Sequence, residues 1–156
     1  MPAGLIEGLA GVPKRNLLAF LGEIGKPGPF DASKANVARL WKFYVSRDEA
    51  LDPKPAYAKS ELPVYTLVNG QLLKDFLPAD RAYAVARFTL AEITTKPLIV
   101  SGVKSVWLDG MSVELKDGAY AHSIPPGNHF ITIEIDAKNP APFAKVQCDD
   151  AIFLGD

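Results

Sequence analysis

The sequence predicts a mainly β fold: an antiparallel β-sandwich of jelly-roll type, preceded by two short α-helices. From about residue 64, apolar residues alternate with a period of two in short runs. These runs recur about every 8–12 residues and are separated by glycine, proline and Asn/Asp turns, which is typical of sandwiches. Before residue 64 the apolar residues repeat at helical spacing instead.

Three regions therefore divide the 156 residues. Residues 1–25 contain an apolar helix, residues 26–63 a second helix with a proline-rich linker, and residues 64–156 the β-sandwich. A chain of this length can bury a sizeable core in one domain with an appendage.

The first helix is predicted over residues 13–24. Pro13 suits a first helical turn and Gly25 suits the end of a helix. Its apolar stripe consists of Leu17, Leu18, Phe20, Leu21 and Ile24. So short a helix is marginal alone. We therefore expect the 17–24 strip either to form an oligomer contact or to fold back on the β region.

The second helix is predicted over residues 33–46. Its apolar face is formed by Val37, Leu40, Trp41 and Tyr44. Ser33 or Asp31 can cap it. Pro53, Pro55 and Pro63 then favour an extended linker.

The β region contains about eight predicted strands. They are Val64–Val68, Ala82–Leu90, Leu98–Val100, Ser105–Leu108, Met111–Leu115, Tyr120–Ile124, His129–Asp136 and Phe143–Cys148. A further short run at Ile152–Leu154 closes the chain. Asp109-Gly110 between two of them is the clearest hairpin signal. A second hairpin, with Ile124 opposite His129, would put His122 and His129 on one face.

Composition excludes several classes of function. The net charge of −1 gives no field that would recruit nucleic acid or an anionic membrane. The single cysteine excludes an internal disulfide and multi-cysteine metal sites. No apolar run approaches the roughly 20 residues of a membrane helix. The sequence also shows no basic segment followed by a long apolar stretch, so we predict no signal peptide in it.

Three segments carry a family resemblance. They are Ala86-Arg87-Phe88-Thr89-Leu90, Val106-Trp107-Leu108-Asp109-Gly110 and Ile124-Pro125-Pro126-Gly127-Asn128-His129-Phe130-Ile131-Thr132-Ile133. Together they resemble the galactose-binding-like or PA14-like sandwiches of large extracellular enzymes. The resemblance covers about residues 64–154.

A wider resemblance includes the N-terminal segments. Met1-Pro2-Ala3-Gly4-Leu5, the helix through Phe20 and Lys26-Pro27-Gly28-Pro29-Phe30-Asp31 resemble the C-terminal region of planctomycete-type multidomain c-type cytochrome/dehydrogenase proteins. The resemblance implies that residues 1–25 are a remnant of a cytochrome C-terminal helix. It also implies a periplasmic or extracellular location, with cytochrome and dehydrogenase domains as neighbours.

The same resemblance makes Met1 a haem axial ligand, in the parent protein only. The sequence departs from the pattern because it has no Cys-x-x-Cys-His motif. Covalent haem is therefore not expected in this chain, and calcium is the one cofactor that the sequence leaves possible.

The resemblance implies a non-catalytic accessory module of an exported haem-containing electron-transfer enzyme. Neither a Gly-x-Ser-x-Gly elbow nor a glycine-rich phosphate loop is present. The alternative is a carbohydrate-binding module that stacks polysaccharide on Trp107, Tyr83 and Tyr120. Trp107 points opposite to Val106 and Leu108, so it lies either under the N-terminal helices or in a binding patch.

Two groups of side chains could bind a metal ion. His122 and His129 could join a carboxylate at a metal, or be two half-buried histidines of a hairpin. Asp149 and Asp150, with Asp109 and Asp136, could hold calcium or be solvated loop acids. The acids lack the Asp-x-Asp-x-Asp-Gly spacing of a calcium loop, which favours solvated loop acids.

Overall fold

The structure, a computed structural model, describes residues 36–53, 64–67, 69–77 and 80–154. The first predicted helix, the 17–24 strip, Met1 and most of the proline-rich linker lie outside these ranges. Statements about the structure below concern the described residues.

The described chain is mainly β, as predicted, with antiparallel pairing throughout. Its strands are β1 (Leu40–Tyr44), β2 (Val64–Tyr65), β3 (Leu72–Leu73), β4 (Arg81–Leu90), β5 (Leu98–Ser101), β6 (Ser105–Leu108), β7 (Met111–Ser112), β8 (Ala119–Tyr120), β9 (Gly127–Asp136), β10 (Phe143–Gln147) and β11 (Ile152–Phe153). The described residues also form one short helix, α1 (Arg47–Leu51), and a 3₁₀ turn (Lys74–Phe76).

The strands form two sheets. The larger has seven strands in the order β2-β1-β4-β9-β6-β7, with β11 also paired to β4. The smaller has the order β3-β10-β5-β8. At the centre of the larger sheet, β4 and β9 pair over ten residues, from Arg81 opposite Asp136 to Leu90 opposite Gly127.

One face of the larger sheet, the smaller sheet and several loop residues contribute to the main core. Ala84, Ala86 and Phe88 of β4 are at most 1% exposed. Residues of both sheets belong to this cluster, among them Leu72, Leu98, Val100, Phe88, Ile131, Ile133, Ala144 and Val146. Successive side chains of β4 and β9 therefore point to opposite faces of the sheet, as expected for a period of two. Those on one face belong to the main core.

The opposite face of the larger sheet carries a second cluster, made of Tyr44, Ala50, Tyr83 and Val85 with Trp107 and Phe130 packed against it. Helix α1 covers this cluster through Ala50, which is fully buried. The hydroxyl of Thr132 donates a hydrogen bond of 2.8 Å to the Ala50 carbonyl, which ties α1 to β9.

The second predicted helix is wrong over residues 36–46, where the chain forms strand β1. Val37, Leu40, Trp41 and Tyr44 do follow helical spacing, but Phe43 breaks it and supports alternation instead. A run rich in aromatic residues also favours a strand. β1 pairs with β2 at Leu40 and Trp41, and with β4 from Lys42 to Tyr44. This strand thus belongs to the same sheet as residues after 64.

The hairpin predicted at Asp109-Gly110 is confirmed by the pairing of β6 with β7. Both turn residues have positive φ, 51° at Asp109 and 83° at Gly110, as a two-residue hairpin turn requires. A Cβ at Gly110 would lie 2.9 Å from the Leu51 carbonyl oxygen. The turn therefore lies close against the end of α1.

The second predicted hairpin is wrong. Tyr120 pairs with Leu98 in the smaller sheet, whereas His129 pairs with Phe88 in the larger one. Ile124 lies outside the strands, where its N–H donates to the Thr94 hydroxyl at 2.8 Å. The Pro125-Pro126-Gly127 segment therefore carries the chain from one sheet to the other, and the two histidines do not share a face.

Candidate functional site

A cleft of roughly 680 Å³ opens where β9 begins, beside the β6–β7 turn. Its lining residues are Arg87, Phe88, Asp109, Asn128, His129, Phe130 and Leu154. Polar and apolar side chains therefore meet at one end of the larger sheet, a combination typical of ligand sites.

Strand register places these residues. Arg87 lies directly opposite Phe130, and Phe88 lies opposite His129. The Asp109 N–H donates to the Phe130 carbonyl at 2.9 Å, which brings the turn to β9. The Leu154 N–H donates to the Arg87 carbonyl at 2.9 Å, which brings the end of β11 to β4.

His129 is engaged at both ring nitrogens. Nδ1 lies 2.6 Å from Asp109 Oδ2, and Nε2 lies 2.7 Å from the Pro125 carbonyl oxygen. Because both partners are acceptors, both contacts are hydrogen bonds at once only when each nitrogen carries a hydrogen. The ring also stacks on Phe88 at a centroid distance of 5.4 Å. In this arrangement neither nitrogen offers a lone pair to a metal or a proton donor.

Asp109 is engaged at both carboxylate oxygens. Oδ2 contacts His129, and Oδ1 accepts a hydrogen bond of 3.0 Å from the Phe130 N–H. The side chain of His129 is 8% exposed and that of Asp109 is 40% exposed. The pair therefore fixes the turn against the start of β9 and forms one wall of the cleft.

The other walls offer contact groups to a ligand. Arg87 and Asn128 are exposed, Phe130 is half-buried, and Leu154 is 37% exposed. A guanidinium and an amide can donate hydrogen bonds, and the amide oxygen can accept them. Apolar ring or chain atoms can pack on Phe130 and Leu154.

The three residues predicted to stack polysaccharide do not form one strip. Tyr83 is only 7% exposed, and its ring meets Trp107 edge to face at 6.1 Å. Both belong to the second cluster, so Trp107 does point away from the main core, and it packs near α1. Tyr120 lies on the smaller sheet and is half-buried.

The candidate metal ligands are spread over separate places. His122 is exposed and lies beside the Tyr120 ring at 5.3 Å, while His129 lies in the cleft. Asp149 Oδ1 accepts a hydrogen bond of 3.0 Å from the Asn36 amide. No three His, Cys, Asp or Glu side chains of the described residues gather as a metal site.

Asp150, the last metal candidate, joins two loops. Its Oδ2 accepts hydrogen bonds from the N–H groups of Thr95 at 2.8 Å and Lys96 at 2.9 Å. These backbone donors, Lys96 first and then Thr95, lower the pKa of Asp150. Asp136, another candidate calcium ligand, caps a turn: its Oδ1 accepts a hydrogen bond of 2.9 Å from the Lys138 N–H.

Sequence reasoning missed Arg87, Asn128, Phe130 and Leu154 as site residues. A signal existed for Arg87, because alternation in Ala82–Leu90 puts it on the face opposite Phe88. Its neighbours could not be found in this way. Asn128 and Phe130 depend on the pairing of β4 with β9, and Leu154 depends on the pairing of β11 with β4. Both pairings join residues that lie far apart in the sequence.

Comparison with family models, with curated proteins and with solved structures finds no match to this chain. Within the described ranges, no helix has the length and apolar character needed to cross a membrane.

Proposed function

We propose that this chain is a non-catalytic accessory module, a β-sandwich of jelly-roll type, that binds a carbohydrate ligand in the cleft. The main observation behind the proposal is that one cleft is lined both by exposed polar residues, Arg87 and Asn128, and by apolar side chains, Phe130 and Leu154. Sugars present hydroxyl groups around their rings and C–H groups on their faces, so they need both kinds of contact.

The sandwich architecture is supported by the main core, to which two antiparallel sheets contribute. The non-catalytic role is supported by His129, whose two nitrogens are both taken up by contacts within the chain. A general base needs a nitrogen directed at a substrate proton. Among the cleft residues His129 is the one imidazole, and it holds the wall together instead.

Affinity electrophoresis through gels that contain plant or algal polysaccharides tests carbohydrate binding. We expect at least one polysaccharide to retard the chain, and Asn128→Ala to abolish most of the retardation. His122→Ala is the matched control, because His122 is exposed but lies outside the cleft. Equal migration of the wild-type chain in every gel would contradict carbohydrate binding.

From the family resemblance we propose that the module belongs to a larger parent protein. In that proposal it is an accessory module of an exported haem-containing electron-transfer enzyme, periplasmic or extracellular, next to cytochrome and dehydrogenase domains. Polysaccharide binding would hold such an enzyme near its substrate. The genomic DNA upstream of Met1 tests this: an in-frame Cys-x-x-Cys-His codon series supports the proposal, and an in-frame stop codon after any such motif overturns it.

A further inference from the structure

The connection between the two sheets, Pro125–Pro126, is fixed at both of its ends. Before it, the Ile124 carbonyl accepts from the Thr94 N–H at 3.1 Å, and the Ile124 N–H donates to the Thr94 hydroxyl at 2.8 Å. After it, β9 begins at once with Gly127. The two prolines between these ends are exposed and have no N–H to donate. They therefore depend on their carbonyl groups for any backbone hydrogen bond to the rest of the chain.

His129 supplies such a hydrogen bond. Its Nε2 lies 2.7 Å from the Pro125 carbonyl oxygen, while its Nδ1 lies 2.6 Å from Asp109 Oδ2. The side chain is 8% exposed and its ring stacks on Phe88, so the ring has little freedom to turn away from either acceptor. A change in the number of hydrogens on the ring must therefore change one of these two contacts.

The two protonation states of the His129 ring differ in what they can hold. The imidazolium has an N–H on each nitrogen and donates to both oxygens at once, whereas the neutral ring has one N–H and one lone pair. The Asp109 carboxylate is charged, so it is the stronger acceptor and retains the remaining N–H. The Nε2 lone pair then faces the Pro125 carbonyl oxygen at 2.7 Å, and two acceptors at that distance repel each other.

Charged groups reach the ring from more than one element. Asp109, on the β6–β7 turn, makes the direct contact. Arg87 of β4 lines the same cleft and has an interaction of its own within the chain. The described neighbours from β9, β11 and the connection are uncharged: Asn128, Phe130, Phe153, Leu154, Pro125 and Pro126. Surrounding charges move the pH at which a histidine loses a hydrogen, but they do not change how many N–H groups each form of its ring has.

We propose that His129 is a pH-sensitive contact, which holds the Pro125–Pro126 connection beside the cleft when its ring is charged and releases it when the ring is neutral. The contact with Asp109 persists in both forms, so the β6–β7 turn keeps its place. Gly127 supplies backbone freedom for the movement, because its φ is 121° and a Cβ there would meet no non-neighbouring atom of the described chain within 4 Å. This device does not depend on what the cleft binds.

NMR of the full chain from about pH 5 to about pH 8, the range in which histidine ordinarily titrates, tests the device. The ring ¹⁵N signals of His129 show which nitrogens carry hydrogens, and the ¹³C signals of Pro125 and Pro126 report on the connection. We expect hydrogens on both nitrogens at the acid end, loss of the Nε2 hydrogen as pH rises, and a shift of the proline signals with the same midpoint. His122→Ala leaves His129 as the one histidine of the chain, which assigns the ring signals and should not alter the transition.

Asp109→Asn separates the device from a general effect of pH. Its amide oxygen can accept from the Phe130 N–H and its NH₂ group can donate to Nδ1, so a neutral ring keeps its Nε2–H for the Pro125 carbonyl. We expect the proline signals of this variant to stay constant over the same pH range. Asp48→Asn, the same substitution at a side chain that is 90% exposed, should keep the wild-type transition.

Three results would overturn the proposed device. The first is a set of wild-type proline signals that stays constant while the His129 ring titrates. The second is a ring that keeps one protonation state over the whole pH range. The third is a proline shift in Asp109→Asn as large as that in the wild-type chain, since such a shift would not depend on the acceptor at Nδ1.

Discussion

Asp109 and His129 form a structural pair in the wall of the candidate cleft. Each Asp109 oxygen accepts one contact, and each His129 nitrogen makes one. The sequence suggests Asp109 and His129 only as candidate ligands of two different metal sites. Their spacing in the sequence does not reveal that the turn residue Asp109 contacts the strand residue His129. The position of His129 opposite Phe88 follows from strand register alone.

We expect Asp109→Ala to lower the free energy of unfolding by roughly 1–2 kcal/mol, through loss of two hydrogen bonds and a residue suited to positive φ. Asp109→Asn should cost less than Asp109→Ala, because it loses the charge but keeps both contacts. Its amide oxygen can still accept from the Phe130 N–H, and its NH₂ group can donate to Nδ1 of the neutral imidazole. Urea unfolding at neutral pH measures both, and equal losses would contradict this account of the pair.

Asp150 leads to a prediction about acid. Its pKa is lower in the folded chain than in the unfolded chain, because the Lys96 and Thr95 N–H groups stabilise the carboxylate. The ionised form therefore adds stability above the unfolded value of about 3.9, and this contribution is lost as pH falls through the lower folded value.

In Asp150→Asn we expect a shallower loss of stability below about pH 4 than in the wild-type chain, because the ionisable group is gone. Urea midpoints measured across that range test this. Asp48→Asn is the control, since it removes one carboxylate from a side chain that is 90% exposed. If the urea midpoint of Asp150→Asn fell with decreasing pH as steeply as that of the wild-type chain, the prediction would be contradicted.

At the scale of elements, prediction succeeded where turn chemistry and alternation agreed. Asp109-Gly110 fixed one hairpin, and the alternating run 82–90 became β4. Prediction failed at β1, whose apolar residues fit a helix as well as a strand; pairing with β2 and β4 decides between them. It failed again at 120–136, where the proline-rich connection joins two sheets and leaves no hairpin.

The turn at Gly110 supplies a test of how α1 is held. Alanine at Gly110 or at Gly118 must adopt positive φ, 83° or 77°, at a cost of about 1–2 kcal/mol. Gly110→Ala also places a Cβ 2.9 Å from the Leu51 carbonyl oxygen, whereas in Gly118→Ala the nearest atom, the Val100 carbonyl oxygen, is 3.3 Å away. We therefore expect Gly110→Ala to be the more destabilising of the two in urea unfolding; the reverse order would contradict a close contact with α1.

For the whole molecule, stability should be greatest along β4 and β9. β4 is paired on both sides, with β9 on one side and with β1 and β11 on the other, and β9 lies between β4 and β6. The alternating side chains of β4 and β9 also supply much of the main core. The sequence indicated both strands, but not that they lie side by side.

Amide hydrogen exchange tests this distribution. We expect the amides of Ala84, Ala86, Ile131 and Ile133 to exchange most slowly, because their exposure requires global unfolding. Amides of β7 and β8, which are two residues long, should exchange through local opening. Similar protection in β7 and in β4 would contradict this order.

The ends of both sheets also determine how a neighbour can attach. In the described chain, the terminal strands β2, β7, β3 and β8 are each two residues long. So few backbone donors and acceptors give an incoming strand little to pair with, which protects the chain against edge-to-edge aggregation. A flanking domain or a second protein would therefore have to dock through side chains of a sheet face or a loop, and not by extending a sheet.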